Sequence, residues 1–178
     1  KKAVPVSSPT PQEGFNLPPM SLLNTSKSSK KKGTSNLDTV AQSLQQVLED
    51  FGIFATVVDW IAGPTVTLFM IDRPAGFRVS RITALNDDIA LALASPGVRI
   101  CAPVPHTNYV GIEVPNTERE TVLLTDVLKD ADEGPLQIAI GKDVEGNSIV
   151  SDLAKMPHLL IGGTTGSGKS VSINGMIM

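Results

Sequence analysis

The sequence predicts an α+β unit, a mixed sheet with two main helices, followed by the start of an α/β P-loop unit. Three observations point there. Apolar residues recur at spacings of three and four over residues 37–51 and again over residues 78–94, the period of amphipathic helices. Short apolar runs with strand-like alternation lie between and after them. Near the end, an apolar run feeds a Gly-rich loop at residues 163–170.

The first helix carries Leu37, Val40, Ala41, Leu44, Val47, Leu48 and Phe51 on one face. Asn36 or Asp38 can cap it, and Gly52 stops it. Residues 53–61 read as a strand, Gly63-Pro64 as a turn, and residues 65–71 as a second strand. There Val66, Leu68 and Met70 alternate with Thr65, Thr67 and Phe69, which suits a sheet with one wetter face. Asp72-Arg73-Pro74-Ala75-Gly76 breaks the pattern. The second helix spans residues 78–94, with Ile82, Leu85, Ile89 and Leu93 on one side and Asn86, Asp87 and Asp88 away from them. Residues 98–102 and 109–114 read as strands around a Pro103/Pro105 loop, and residues 122–129 as a short helix. Gly134-Pro135 is a plausible boundary. Beyond it, residues 136–140 and 148–150 read as a hairpin around a turn at 141–147, and His158-Leu159-Leu160-Ile161 as a buried strand. The expected domains are therefore 1–36, 37–135 and 136–178.

With 178 residues the chain holds one ordinary domain or two small ones. Aromatics make up 4% against 41% hydrophobic residues, so the core must be aliphatic. The net charge of −3 excludes a uniformly basic nucleic-acid-binding domain. The charge is uneven: residues 1–36 hold six Lys and one acid, leaving 9 basic and 17 acidic residues for the rest. That first segment, rich in Pro and Ser at 4–11, reads as an unfolded linker. It contains an apolar island at 17–23 able to dock and a Lys-bearing stretch at 26–33. The Lys run could touch DNA phosphates or anionic lipid; a solvated linker is the preferred reading. One cysteine, Cys101, rules out an internal disulfide and suits a reducing compartment. No apolar run approaches the roughly 20 residues of a membrane span and no signal peptide is visible, so the expectation is a soluble, cytosolic chain.

Gly163-Thr164-Thr165-Gly166-Ser167-Gly168-Lys169-Ser170 matches the full P-loop pattern. Glycines let successive backbone N–H groups turn inward around an anion, and the following helix aims its N-terminus at the same phosphates. Lys169 adds a positive charge for the β and γ phosphates of ATP and is the candidate catalytic residue. The hydroxyl of Ser170 is a hard oxygen ligand for Mg²⁺. A chance match in a chain this long is on the order of one in a hundred or rarer. P-loop hydrolysis also needs an acid at the end of a later strand. Residues 171–178 hold neither an acid nor an Arg, so the expectation is a fragment that does not hydrolyse ATP alone.

Residues 153–161, running into the loop and on through Val171-Ser172-Ile173-Asn174, resemble the FtsK/SpoIIIE DNA translocases. So do Gly141-Lys142-Asp143, Gly63-Pro64-Thr65-Val66-Thr67, Gly111-Ile112-Glu113-Val114-Pro115-Asn116 and Leu17-Pro18-Pro19. Gly162 departs from the Ala that is also common there. The resemblance implies an ATP-driven pump for double-stranded DNA, working as a homo-hexamer in chromosome segregation and cell division. Its first (alpha) motor subdomain would be 37–135 and its RecA-like (beta) subdomain would begin at 136. The motor would lie in the cytoplasm, with the parent anchored in the bacterial membrane by a region upstream. No small-molecule substrate besides ATP is implied.

Other residues have plainer readings. His158 lacks partner ligands at suitable spacing and reads as structural, and His106 as exposed. Cys101 reads as a small buried hydrophobe, Asp87-Asp88 as a solvated helix face, and Trp60 as core. Asp143 and Glu145 lack the alternating spacing of a calcium loop. Two alternatives to DNA translocation stand: a type VII secretion or conjugation ATPase on the same engine, and a non-enzymatic ring-assembly module.

Overall fold

The computed structural model describes residues 18–25, 34–132, 134 and 136–177. The Pro/Ser stretch at 4–11, Leu17, the Lys-bearing stretch at 26–33 and Pro135 of the boundary lie outside the described residues.

Helix α1 (Thr34–Asp50) opens the main unit. It starts ahead of Asn36 and Asp38, so neither is its cap. Its apolar stripe buries Ala41, Leu44 and Leu48. Fully burying a leucine stabilises by roughly 1.5–3 kcal/mol, so Leu44 and Leu48 set the seam. Phe51, expected on that stripe, lies just past the helix and is exposed. Gly52 turns the chain at φ 71°, its N–H donating to the Glu49 carbonyl while Ile53 N–H donates to Leu48, both at 2.8 Å. This left-handed closure satisfies the last carbonyls and directs Ile53 into the core.

Four strands follow: β1 (Thr56–Ala62), β2 (Val66–Asp72), β3 (Arg99–Cys101) and β4 (Val110–Pro115). Their order is β1-β2-β4-β3 and every pairing is antiparallel. The expected mixed sheet is thereby corrected. β2 and β3 do run the same way, as a helical crossover requires. β4 inserts between them and removes the parallel contact. The face of β2 expected to be wetter is the core face: Thr67, Phe69 and Ile71 are buried on it, whereas Val66 and Met70 on the Leu68 face are half-buried. The Thr67 hydroxyl donates to Asn116 Oδ1 at 2.8 Å, and Asn116 Nδ2 donates to the Gly63 carbonyl at 2.8 Å, pinning the β1–β2 turn.

The helix expected over 78–94 is two helices, α2 (Val79–Thr83) and α3 (Asn86–Ala92). The break follows from local chemistry. The Thr83 hydroxyl donates back to the Ser80 carbonyl, while Asp87 and Asp88 complement the positive end of a new helix. Ile82 and Ile89 still enter one cluster with Leu44, Leu48, Phe69, Ile71, Val110 and Ile112.

Beyond this core lie α4 (Leu124–Leu128), a two-stranded antiparallel hairpin of β5 (Gln137–Lys142) and β6 (Ser148–Asp152), and α5 (Lys169–Ile177). Asp143 organises the hairpin loop, its carboxylate accepting from the N–H groups of Glu145 and Asn147 at 2.9 and 2.8 Å. The loop sits against the β1–β2 turn, where a Cβ on Gly63 would collide with the Val144 carbonyl oxygen. The buried strand expected at 158–161 does not form: these residues have no regular structure and Leu160 is 96% exposed. A parallel strand needs pairing neighbours and covering helices. Here β5 and β6 pair only with each other among the described residues. Residues 18–25, within the segment read as unfolded, include a 3-10 turn (Met20–Leu22).

Candidate phosphate-binding loop

The loop at 163–170 is exposed along its whole length. It folds on its own backbone: Ser167 N–H donates to the Thr164 carbonyl at 3.1 Å, closing a turn through Thr165 and Gly166. Gly166 and Gly168 sit at φ 82° and 89°, where any side chain is strained. A Cβ on Gly163 would run into Ser167 Oγ, so the loop can close this tightly only around glycine. Lys169 and Ser170 are the first two residues of α5, and Ser172 N–H donates to the Gly168 carbonyl at 2.9 Å to close its first turn.

The opening N–H groups of a helix have no partner within it, and no acidic side chain occupies the first turn of α5. That end therefore favours an anion. Lys169 and Ser170 are both exposed there. Strained glycines, close backbone approach, a helix N-terminus, one ammonium and one hydroxyl together fit a polyphosphate. For Mg²⁺ the chain offers the Ser170 hydroxyl; among the described residues no group of three or more His, Cys, Asp or Glu is placed to hold a metal. α5 packs on β5. Gly175 also lets α5 approach Leu124 of α4, whose Cδ2 would lie 3.7 Å from a Cβ there. Sequence reasoning missed this support, because nothing local to Leu124 signals it.

The remaining candidates stand apart from the loop. His158 is exposed and outside any strand, which corrects its reading as a structural strand residue. His106 is exposed at φ 62°. Trp60 packs on the core, its ring 6.3 Å from that of Phe69. Asp87 and Asp88 are exposed in the first turn of α3. Cys101 is half-buried and its thiol donates to Glu113 Oε1 at 3.2 Å. Burial pushes that thiol above its ordinary value, and the Glu113 carboxylate adds to the push, so the thiolate is disfavoured. The Asp143 oxygens are occupied by N–H groups; burial pushes its carboxyl up, but the bonds from Asn147, Glu145 and Gly146 together outweigh that and hold it below the usual range. Among the described residues no helix is long and apolar enough to cross a membrane.

Comparison with known proteins gives two adjoining matches: the FtsK alpha domain over residues 17–116, and the FtsK/SpoIIIE family over residues 123–178. A DNA translocase FtsK of Streptomyces avermitilis is 47% identical over 167 residues, 92% of this chain and 18% of the relative. That of Clostridium acetobutylicum is 45% identical over 170 residues, 92% of this chain and 22% of the relative. That of Mycobacterium leprae is 46% identical over 168 residues, 92% of this chain and 20% of the relative. The chain thus spans about a fifth of the length of these relatives. A solved structure of the pCW3 conjugation coupling protein TcpA, monomer form with ATPγS, covers 79% of this chain and 41% of its own at 17% identity. Its TM-score of 0.35 is too low to fix a shared fold.

Proposed function

Since this chain belongs to the FtsK/SpoIIIE family, we propose that residues 163–170 hold the phosphates of Mg²⁺-ATP in the motor of a double-stranded DNA translocase acting in chromosome segregation and cell division. The carrying observation is the loop itself, with left-handed Gly166 and Gly168 leading straight into α5. Gly163, Thr164, Thr165, Gly166, Ser167 and Gly168 line the phosphate site, and the loop's backbone N–H groups that are not bonded within it orient the phosphates. Lys169 brings positive charge to the β and γ groups and Ser170 offers its hydroxyl to Mg²⁺. Mg²⁺ held there would supply charge neutralisation for the phosphates. P-loop hydrolysis also needs a water-polarising carboxylate at the end of a later strand, and we assign hydrolysis to the whole protein, of whose relatives this chain spans about a fifth.

Residues 37–135 serve as the first motor subdomain and residues 136–178 as the opening of a RecA-like α/β subdomain. In this reading six copies of the whole protein form a ring around duplex DNA, with the motor in the cytoplasm and the parent anchored in the bacterial membrane. The 9 basic and 17 acidic residues after residue 36 fit DNA contacts made mostly elsewhere. The alternatives of a secretion or conjugation ATPase and of a ring-assembly module have no comparable support.

The test is protection of the loop in the whole protein. Mg²⁺-ATPγS should slow proteolysis and amide exchange across 163–177, and Lys169→Ala should abolish that protection. Equal exchange with and without nucleotide in the unsubstituted protein refutes the assignment.

A further inference from the structure

Helix α4 touches three parts of the chain that the sequence keeps apart. Thr125 is buried, 4% exposed, and its hydroxyl donates to the Asn24 carbonyl at 2.6 Å across 101 positions. Asn24 follows the 3-10 turn Met20–Leu22, which buries no residue of its own, so this hydrogen bond is a main tether of the segment. The adjacent Leu124 lies against Gly175 of α5, its two methyl carbons at 3.7 and 3.9 Å from where a Cβ would stand. One turn on, the Asp130 carboxylate accepts from the Ser148 hydroxyl at 2.5 Å, tying the end of α4 to β6.

A helix of five residues is far too short to be stable alone, and α4 has no side-chain cap at its N-terminus. Its order therefore depends on these outside contacts, and loss of one set weakens the others. We propose that α4 is a coupling brace: the N-terminal segment 18–24 and the P-loop helix α5 are held by adjacent residues of one marginal helix, so releasing the segment loosens the helix that presents Lys169 and Ser170. Thr125 is a positioning residue in this scheme. It touches no phosphate and acts through Leu124 on α5. The coupling is reciprocal, so whatever orders α5 also orders residues 18–24.

Amide exchange on the 178-residue chain tests this without nucleotide, so its outcome is independent of whether the loop binds ATP. Thr125→Val keeps the shape and removes the donor. Loss of one hydrogen bond should speed exchange about three- to fivefold in residues 20–24 and in α5, with β2 and β4 unchanged. Thr125→Ser retains the hydroxyl and should restore slow exchange at both places. A chain lacking residues 1–25 leaves the core untouched and should loosen α5 by a similar factor. Unchanged exchange in α5 in either the valine variant or the shortened chain overturns the proposal. If valine speeds exchange in β2 and β4 as well, the shortened chain decides alone: faster exchange confined to α4 and α5 supports the brace, and no change there refutes it.

Discussion

Helices α1 and α3 end in the same hydrogen-bond pattern with different residues at the turning point, so exchanging those residues should move stability in opposite directions. After α1, Gly52 stands at φ 71°, with the following N–H bonded five residues back at 2.8 Å. After α3, Ala94 stands at φ 50°, with Ser95 N–H bonded to the Ala90 carbonyl at 2.9 Å and Ala94 N–H to Leu91 at 3.0 Å. The left-handed conformation costs a residue bearing Cβ roughly 1–2 kcal/mol. Glycine loses that strain but returns roughly 0.4–1 kcal/mol through its freer unfolded chain. Ala94→Gly should therefore stabilise by about 0.5–1 kcal/mol, since Ala94 is exposed and its methyl adds little packing. Gly52→Ala should destabilise by about the same amount, because a Cβ there meets no atom within 4 Å and only the backbone term remains. In urea, with a slope of about 2 kcal/mol per molar, the midpoints should move about 0.3–0.5 M, upward for the first and downward for the second. A downward shift for Ala94→Gly, or no shift for Gly52→Ala, would show that the helix ends are not held in this left-handed form.

Three further outcomes follow from the side-chain geometry. Gly63→Ala places a methyl against the Val144 carbonyl and 2.9 Å from that of Val66, so it should cost roughly 1–3 kcal/mol in urea unfolding; an unchanged midpoint would mean the hairpin loop does not rest on the β1–β2 turn. The native Cys101 thiol keeps its proton above the ordinary value of 9.0, so the unfolded chain ionises first and stability should fall as pH rises through and beyond 9.0. Glu113→Gln removes one cause, and native-state alkylation of Cys101 should then begin at lower pH; identical pH profiles would place the cause elsewhere. Thr67→Val deletes a buried donor 2.8 Å from Asn116 and should cost about 1 kcal/mol, read as a lowered urea midpoint; no loss would mean the turn is held without this bond.

What the sequence revealed was local, and what it hid was not. The P-loop is legible because its chemistry is carried by backbone N–H groups, glycines and two neighbouring side chains, all within eight positions. α1 and the β5–β6 hairpin are legible because periodicity and turn residues act within one element. The failures share the opposite property. His158-Leu159-Leu160-Ile161 is apolar enough for a buried strand, yet burial needs neighbours, and Leu160 is left 96% exposed. The place of β4 between β2 and β3 depends on pairings between distant segments, which no local pattern encodes.

The same contrast separates recognition from support at the candidate site. The proposed phosphate cradle is shaped by residues 163–170 alone. How firmly they would hold a phosphate depends on α5, and α5 rests on Leu124 and β5, more than 25 positions upstream. A motif therefore suggests a ligand class without revealing what keeps the loop in place. Substitutions inside the loop should change nucleotide contact directly. Substitutions at Leu124 or Thr125 should change only how often α5 is in place, and so act on affinity while leaving every contacting residue intact.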